Sequence, residues 1–310
     1  MTEKIVRFRR FALASSLATY LLIFIGGLVR VTGAGLGCPD WPRCFGRWIP
    51  PWHESQIPAE FNAATFNFTL AWIEYINRLA GMITGILILI TAVLAIKNFR
   101  QKKNIVFPAG LAAIAVAFQG WYGSIVVKSQ LMPLTVSIHL LLALFIVSLL
   151  LYTLINAHFL GQPLAATSIK PVRNILRFLW IAAIIQIAVG TKIRSAIELV
   201  WEKFPLISAS DILQYVSPIT LIHALLGIFL AAATLLVTIR ILKSGADHGL
   251  VRQGTWLLNL LVLFQLLFGF GMQIFGILPI LQVFHLWSAA FYVGLILVLY
   301  TSLLYQGERV

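Results

Sequence analysis

The sequence predicts an all-α polytopic membrane protein whose eight transmembrane helices form two repeated four-helix bundles. Three observations lead there. The chain holds only 23 Lys and Arg and 10 Asp and Glu among 310 residues, with 60% hydrophobic residues, far more apolar than a soluble core of this size needs. Apolar runs of about 20 residues, the length that crosses a bilayer core, recur from end to end. The second half of the chain also repeats landmarks of the first.

Taken in order, spans are expected at 11–30, 71–96, 107–127, 133–157, 172–194, 218–242, 255–275 and 279–305. Each is long enough to cross about 30 Å of hydrocarbon at about 1.5 Å per residue. The first follows the basic stretch MTEKIVRFRR, as a signal peptide would, but GGLVRVTGAGLG is a poor cleavage site and the segment is long, so it reads as an anchor. The loop GCPDWPRCFGRWIPPWHE then leads to the second span, which opens with WIEYINRLAG and is closed by KNFRQKK. The third and fourth spans are separated only by the turn around KSQLMP. A linker at 158–171 divides an N-terminal half, 1–157, from a C-terminal half, 172–310, which carries the last four spans.

The net charge of +13 follows membrane sidedness. With the N-terminus inside, fifteen Lys and Arg lie on the cytoplasmic side and seven on the outer side, with Arg78 inside a span. That bias places both termini in the cytoplasm, consistent with an even number of spans, and argues against nucleic acid as the partner of the basic residues.

The repeat locates the chemistry. FQGWYGSIVVKSQLMPLTVSIHLL (118–141) matches FQLLFGFGMQIFGILPILQVFHLW (264–287), pairing Phe118 with Phe264, Gln119 with Gln265, Gly123 with Gly269, Pro133 with Pro279 and His139 with His285. The same offset of 146 residues carries NRLAG (77–81) onto HALLG (223–227). GGLVR (26–30) resembles GTKIR (190–194) at a different offset, which the longer first outer loop absorbs. Even numbers of spans per half make the repeat parallel, with a polar site expected between the facing helices of each bundle.

Three of the six histidines, His139, His223 and His285, fall near the outer ends of spans four, six and eight; His53, His158 and His248 sit in loops and read as surface residues. A lone histidine in a span is more often a hydrogen-bonded interior residue than a ligand, but three at matching depths tied by a repeat favour ligation. His223 and His285 occupy the second and fourth spans of one half, where two opposed imidazoles with apolar walls suit axial ligation of a b-type haem. The repeat calls for histidine at position 77, opposite His139, and the sequence has Asn77, a poor iron ligand beside imidazole. The N-terminal half should therefore offer iron one strong protein ligand, leaving an open face. Glu74, the only acidic residue within the expected spans, lies three residues before Asn77, so both should face one pocket. The plainer alternative is a Glu74–Arg78 pair at i,i+4 that neutralises itself. Arg30, Arg78 and Arg194 are candidates to meet haem propionates, or to snorkel at the interface.

Cys38 and Cys44, the only cysteines, fall in the outer loop on the side where a bacterial cell permits disulfides. Their pairing is expected, either as a staple or as a redox-active dithiol. With His53 alone nearby, they do not complete the four ligands of a zinc site.

Together, the eight spans in two halves, GGLVRVTGAGLGCPDWPRC after the first span, the outer cysteine pair, EYINR in place of Glu-x-x-His-Arg, and single histidines in spans four, six and eight resemble the haem A synthases over nearly the whole chain. The resemblance implies oxidation of the C8 methyl group of haem O to the formyl group of haem A. It implies resident haem b on His223 and His285, substrate at His139, an essential carboxylate at Glu74 and the loop pair at Cys38 and Cys44. Asn77 departs from the family's usual histidine. The implied partners are haem O synthase (the protohaem farnesyltransferase), the assembling cytochrome oxidase and membrane lipid, with a homo-oligomer also considered; the implied location is the bacterial plasma membrane. A dihaem b-type electron-transfer cytochrome, which would use the same histidines, and a haem carrier, which could use a duplicated bundle, remain the alternatives.

Overall fold

The computed structural model describes residues 2–162, 170–204, 206–207, 211–212, 215–245 and 249–305. His248, Arg309 and residues 163–169 of the expected linker lie outside the described residues. Eight long helices are described: α1 (Thr2–Val31), α2 (Phe68–Asn98), α3 (Lys103–Lys128), α4 (Pro133–His158), α5 (Lys170–Lys203), α6 (Ser217–Ser244), α7 (Gly249–Ile274) and α8 (Pro279–Ser302). All eight are long and apolar enough to cross a membrane.

Local sequence sets several helix ends. The Asn67 side chain accepts a hydrogen bond from Leu70 N at 3.1 Å, capping α2, where the first turn has amides without helical partners. α4 and α8 both begin on proline, whose missing N–H would have been unpaired in a first turn anyway. α6 stops at Gly245, where φ is +64°, a conformation glycine adopts without steric cost.

Helix contacts close two bundles. α1–α2–α3–α4 form a ring in which α4 returns to α1, and α5–α6–α7–α8 form another in which α8 returns to α5. The halves meet where α8 packs against α1 and α4 and where α4 touches α5. The largest apolar cluster sits at this seam, with Tyr20, Leu144, Val147, Leu176, Leu179, Val293 and Ile296 among its buried members. Tyr20 stacks on Phe291 at 4.1 Å, and the Trp287 indole N–H donates to the Tyr20 carbonyl at 2.9 Å. The Tyr20 hydroxyl occupies the place where a Cβ on Gly294 would stand, so only glycine permits this approach of α1 to α8.

The fifth span differs from its sequence boundary. α5 runs on to Lys203, so Glu198 and Glu202 are helical, and Glu74 is not the only acidic residue on a spanning helix. The extension forms because Ile193, Ile197, Val200 and Trp201 recur at helical spacing and pack against Ile212, Val216 and Ile277.

Candidate functional site

α6 and α8 bring His223 and His285 face to face, with ring centroids 6.2 Å apart and ring planes at 59°. A metal takes an imidazole nitrogen at about 2 Å, so two rings on opposite sides of one metal have centroids about 6 Å apart. The Nδ1 atoms of His139, His223 and His285 are buried, and none has a hydrogen-bond partner among the described residues. Imidazoles not tied into the protein's own hydrogen bonds through Nδ1 are available to a non-protein partner such as water or a metal. The residues present therefore fit a haem held between His223 and His285.

Glycines open the space beside each ring. A Cβ at Gly190 would stand 3.3 Å from His223 Cε1, and Cβ atoms at Gly269 and Gly123 would stand 3.7 Å from Cε1 of His285 and His139. A Cβ at Gly26, the repeat partner of Gly190, meets nothing within 4 Å. Asn77 stands on α2, the second helix of its half, at the position where the second helix of the other half, α6, carries His223. Backbone carbonyls of all three histidines accept from glutamine Nε2 groups: His139 from Gln119 at 3.0 Å, His223 from Gln186 at 2.8 Å and His285 from Gln265 at 2.8 Å. Their repeated Gln-x-x-x-Gly spacing was visible in the sequence but carries no charge or metal affinity to draw notice.

Glu74 is 3% exposed and fully engaged. Its Oε1 accepts from Arg78 Nη2 at 2.5 Å and its Oε2 from the Cys38 amide at 2.8 Å. Arg78 Nη1 donates to the carbonyls of Asp40 at 2.9 Å and Arg43 at 2.7 Å. The i,i+4 pair is thus present, and it extends into the outer loop. Cys38 and Cys44 are joined by a disulfide, with Cα atoms 4.7 Å apart. Within the ring it closes, Asp40 accepts from the amides of Phe45 at 2.6 Å and Gly46 at 3.0 Å, a role the sequence did not mark. Gly37 lies against the backbone of Leu70 and Ala71, so this loop seats directly on the start of α2. Among the described residues, no hydrogen bond or ion pair joins Glu74 to His139.

Arg30 and Arg194, equivalent by the repeat, converge on one carboxylate. Glu198 Oε2 accepts from Arg30 Nη2 at 3.0 Å, and its Oε1 lies 3.2 Å from Arg194 Nε. That second contact is an ion pair without hydrogen-bond alignment, and Arg194 Nε and Nη1 are buried with no acceptor among the described residues. Arg194 thus retains donors for an anionic group, whereas Arg78 has committed its donors to Glu74 and the loop. Glu198 escaped the sequence reading because it lies beyond the apolar run.

A protein named heme A synthase from Shewanella oneidensis is 33% identical over 136 residues, covering 43% of this chain and 40% of that protein. One of the same name from Ehrlichia canis is 29% identical over 198 residues, covering 57% and 56%. Another, from Wolbachia pipientis subsp. Culex pipiens, is 27% identical over 264 residues, covering 73% and 78%. The chain thus spans about half or less of the first two relatives and most of the third. Residues 9–298 match the COX15-CtaA family, described as cytochrome oxidase assembly protein, and the chain belongs to this family, that of the haem A synthases.

Proposed function

We propose that the protein is a haem A synthase, oxidising the C8 methyl group of haem O to the formyl group of haem A for cytochrome oxidase. In this reading residues 1–157 form the substrate half, 158–171 the linker and 172–310 the half that keeps a resident haem b. The observation that carries it is the difference between the halves. His223 and His285 oppose each other at 6.2 Å, while the corresponding place beside His139 has Asn77 and open space next to Gly26. A pair of strong axial ligands suits electron transfer, and a site with one strong ligand suits a substrate haem.

Conversion of a methyl to a formyl group passes through an alcohol, gains one oxygen atom and gives up four electrons in two rounds to an external electron acceptor, redox chemistry that haem iron would support when bound. The chain's part is to bind, orient and handle protons. His139 holds the substrate iron from one side and Asn77 leaves the other side open. Arg194, with its unused donors, and Arg30 meet propionates at the outer end of the seam. Glu74, oriented by Arg78 and the Cys38 amide, takes up a proton released from the methyl carbon. A second reading of Glu74 has its own support. Its hydrogen bonds to Arg78 and Cys38 make it the clamp of the disulfide loop, with no chemical step assigned to it.

The charge bias sets both termini in the cytoplasm of a bacterial cell, so the disulfide loop faces outward. Haem O synthase would supply the substrate and the assembling oxidase would take the product. Co-expression with haem O synthase, followed by pigment extraction, tests the function. Haem A appearing only when both proteins are present supports it. Bound b haem with haem O left unconverted would point to the electron-transfer cytochrome instead, and protein without haem to neither.

A further inference from the structure

The helices carry a pattern finer than the two-fold repeat. Each half consists of two helical hairpins, α1–α2 and α3–α4, then α5–α6 and α7–α8. In three of the four, the first helix carries Gln-x-x-x-Gly and the second carries His-x-x-x followed by Gly or Ala. The sets are Gln119, Gly123, His139 and Ala143; Gln186, Gly190, His223 and Gly227; and Gln265, Gly269, His285 and Ala289. In all three the glutamine Nε2 donates to the histidine carbonyl, and the glycine one turn further faces the histidine Cε1. A backbone carbonyl only accepts, so this bond fixes which end of each amide faces it. In α6 the glycine one turn beyond the histidine makes room for the amide: a Cβ at Gly227 would stand 3.3 Å from Gln186 Nε2.

The α1–α2 hairpin keeps both small residues, Gly26 and Gly81, but has Leu22 for the glutamine and Asn77 for the histidine. Leu22 fills the same notch, its Cδ2 lying 3.9 Å from where a Cβ on Gly81 would be. Ligand and polar neighbour have been exchanged together on an unchanged helix-packing frame.

We propose that Gln119, Gln186 and Gln265 are positioning residues for the iron ligands, and that Leu22 and Asn77 jointly make α1–α2 a fourth copy of the unit that withholds its ligand. The proposal rests on the reading of these histidines as haem ligands. Apolar contact between two helices is non-directional. An amide hydrogen bond at the histidine, strengthened by the low dielectric around it, pins height and rotation at the residue that must meet the iron. The histidine carbonyl also has the helical N–H of the residue four positions on, so exchanging glutamine for leucine leaves no carbonyl orphaned. The effect of such a change falls on ligand position rather than on folding. In α1–α2, an imidazole at position 77 without the glutamine would stand in an unpinned hairpin.

The test uses the purified full-length protein, read by absorption, electron paramagnetic resonance and redox titration. Gln186→Leu, which copies Leu22 into the α5–α6 hairpin, should keep the wild-type protein level but convert part of the low-spin haem signal to high-spin and move its midpoint potential. Its haem should also be lost to a haem scavenger more readily, with affinity lowered about tenfold, as when an outer partner of a metal ligand is removed. Leu22→Gln/Asn77→His should bind a second low-spin haem per chain, and Asn77→His alone a clearly smaller fraction. Equal second signals in the double and single variants, no second signal in either, or a Gln186→Leu spectrum and potential identical to wild type would each overturn the proposal. Wild-type protein that binds no haem would instead overturn the ligand reading on which it stands.

Discussion

Replacing Arg78 by methionine should show whether the charge pair at the head of α2 carries the outer loop. The substitution keeps much of the aliphatic stem and removes the guanidinium. Glu74 would then lose its Oε1 partner while staying 3% exposed, with only the Cys38 amide left on Oε2. The carbonyls of Asp40 and Arg43 would lose their shared donor as well. The two side chains are 15% and 5% exposed, so solvent screening discounts the pair little, and removing one partner of a buried pair costs about 3–5 kcal/mol. Glu74→Gln also breaks the ion pair but leaves no buried charge, so it should cost less. Arg78→Met on the Glu74→Gln background should likewise cost less than on wild type, by about 1–3 kcal/mol, because no carboxylate is stranded. The measurement is equilibrium unfolding of the four proteins in mixed micelles, with hydrogen exchange of residues 38–47 reporting loop release. Costs that add to within about 0.5 kcal/mol, or exchange unchanged in Arg78→Met, would refute the clamp.

Three further outcomes are expected. Glu74→Gln, which still offers the Cys38 amide an acceptor, should abolish haem A formation in the co-expression assay while leaving the haem at His223 and His285 in place; normal haem A at wild-type protein level would leave Glu74 with the clamp role alone. His223→Ala and His285→Ala should each remove the low-spin haem signal or turn it high-spin, since six-coordinate iron loses a strong axial ligand, and an unchanged spectrum in both would sink the assignment. Gly294→Ala forces a methyl group into the position of the Tyr20 hydroxyl and should destabilise the seam between the halves by about 1–3 kcal/mol; wild-type thermal stability would show that the seam yields there.

Much of this protein is written in periodicity and composition. Bilayer thickness fixes the length of an apolar run, so eight spans could be read, although α1 begins at Thr2 rather than 11 and α5 ends at Lys203 rather than 194, and duplication singled out His139, His223 and His285 from sequence alone. The fifth helix overran its expected end because its last turns are held by packing of Ile193 and Ile197 and by the Arg30–Glu198–Arg194 cluster, neither of which depends on a continuous apolar run. Sequence alone set Cys38 and Cys44 in one outer loop and left Glu74 between a reactive pocket and an ion pair. Only the folded chain brought the Cys38 amide and the ring carbonyls onto Glu74 and Arg78, contacts spanning more than thirty residues of loop. The glutamines stood in the sequence, Gln119 and Gln265 within the repeat, but their role as donors to the histidine carbonyls did not. A hydrogen bond to a backbone carbonyl forms only where two helices bring donor and acceptor to the same height and rotation, a property of the packed hairpin that neither residue shows alone.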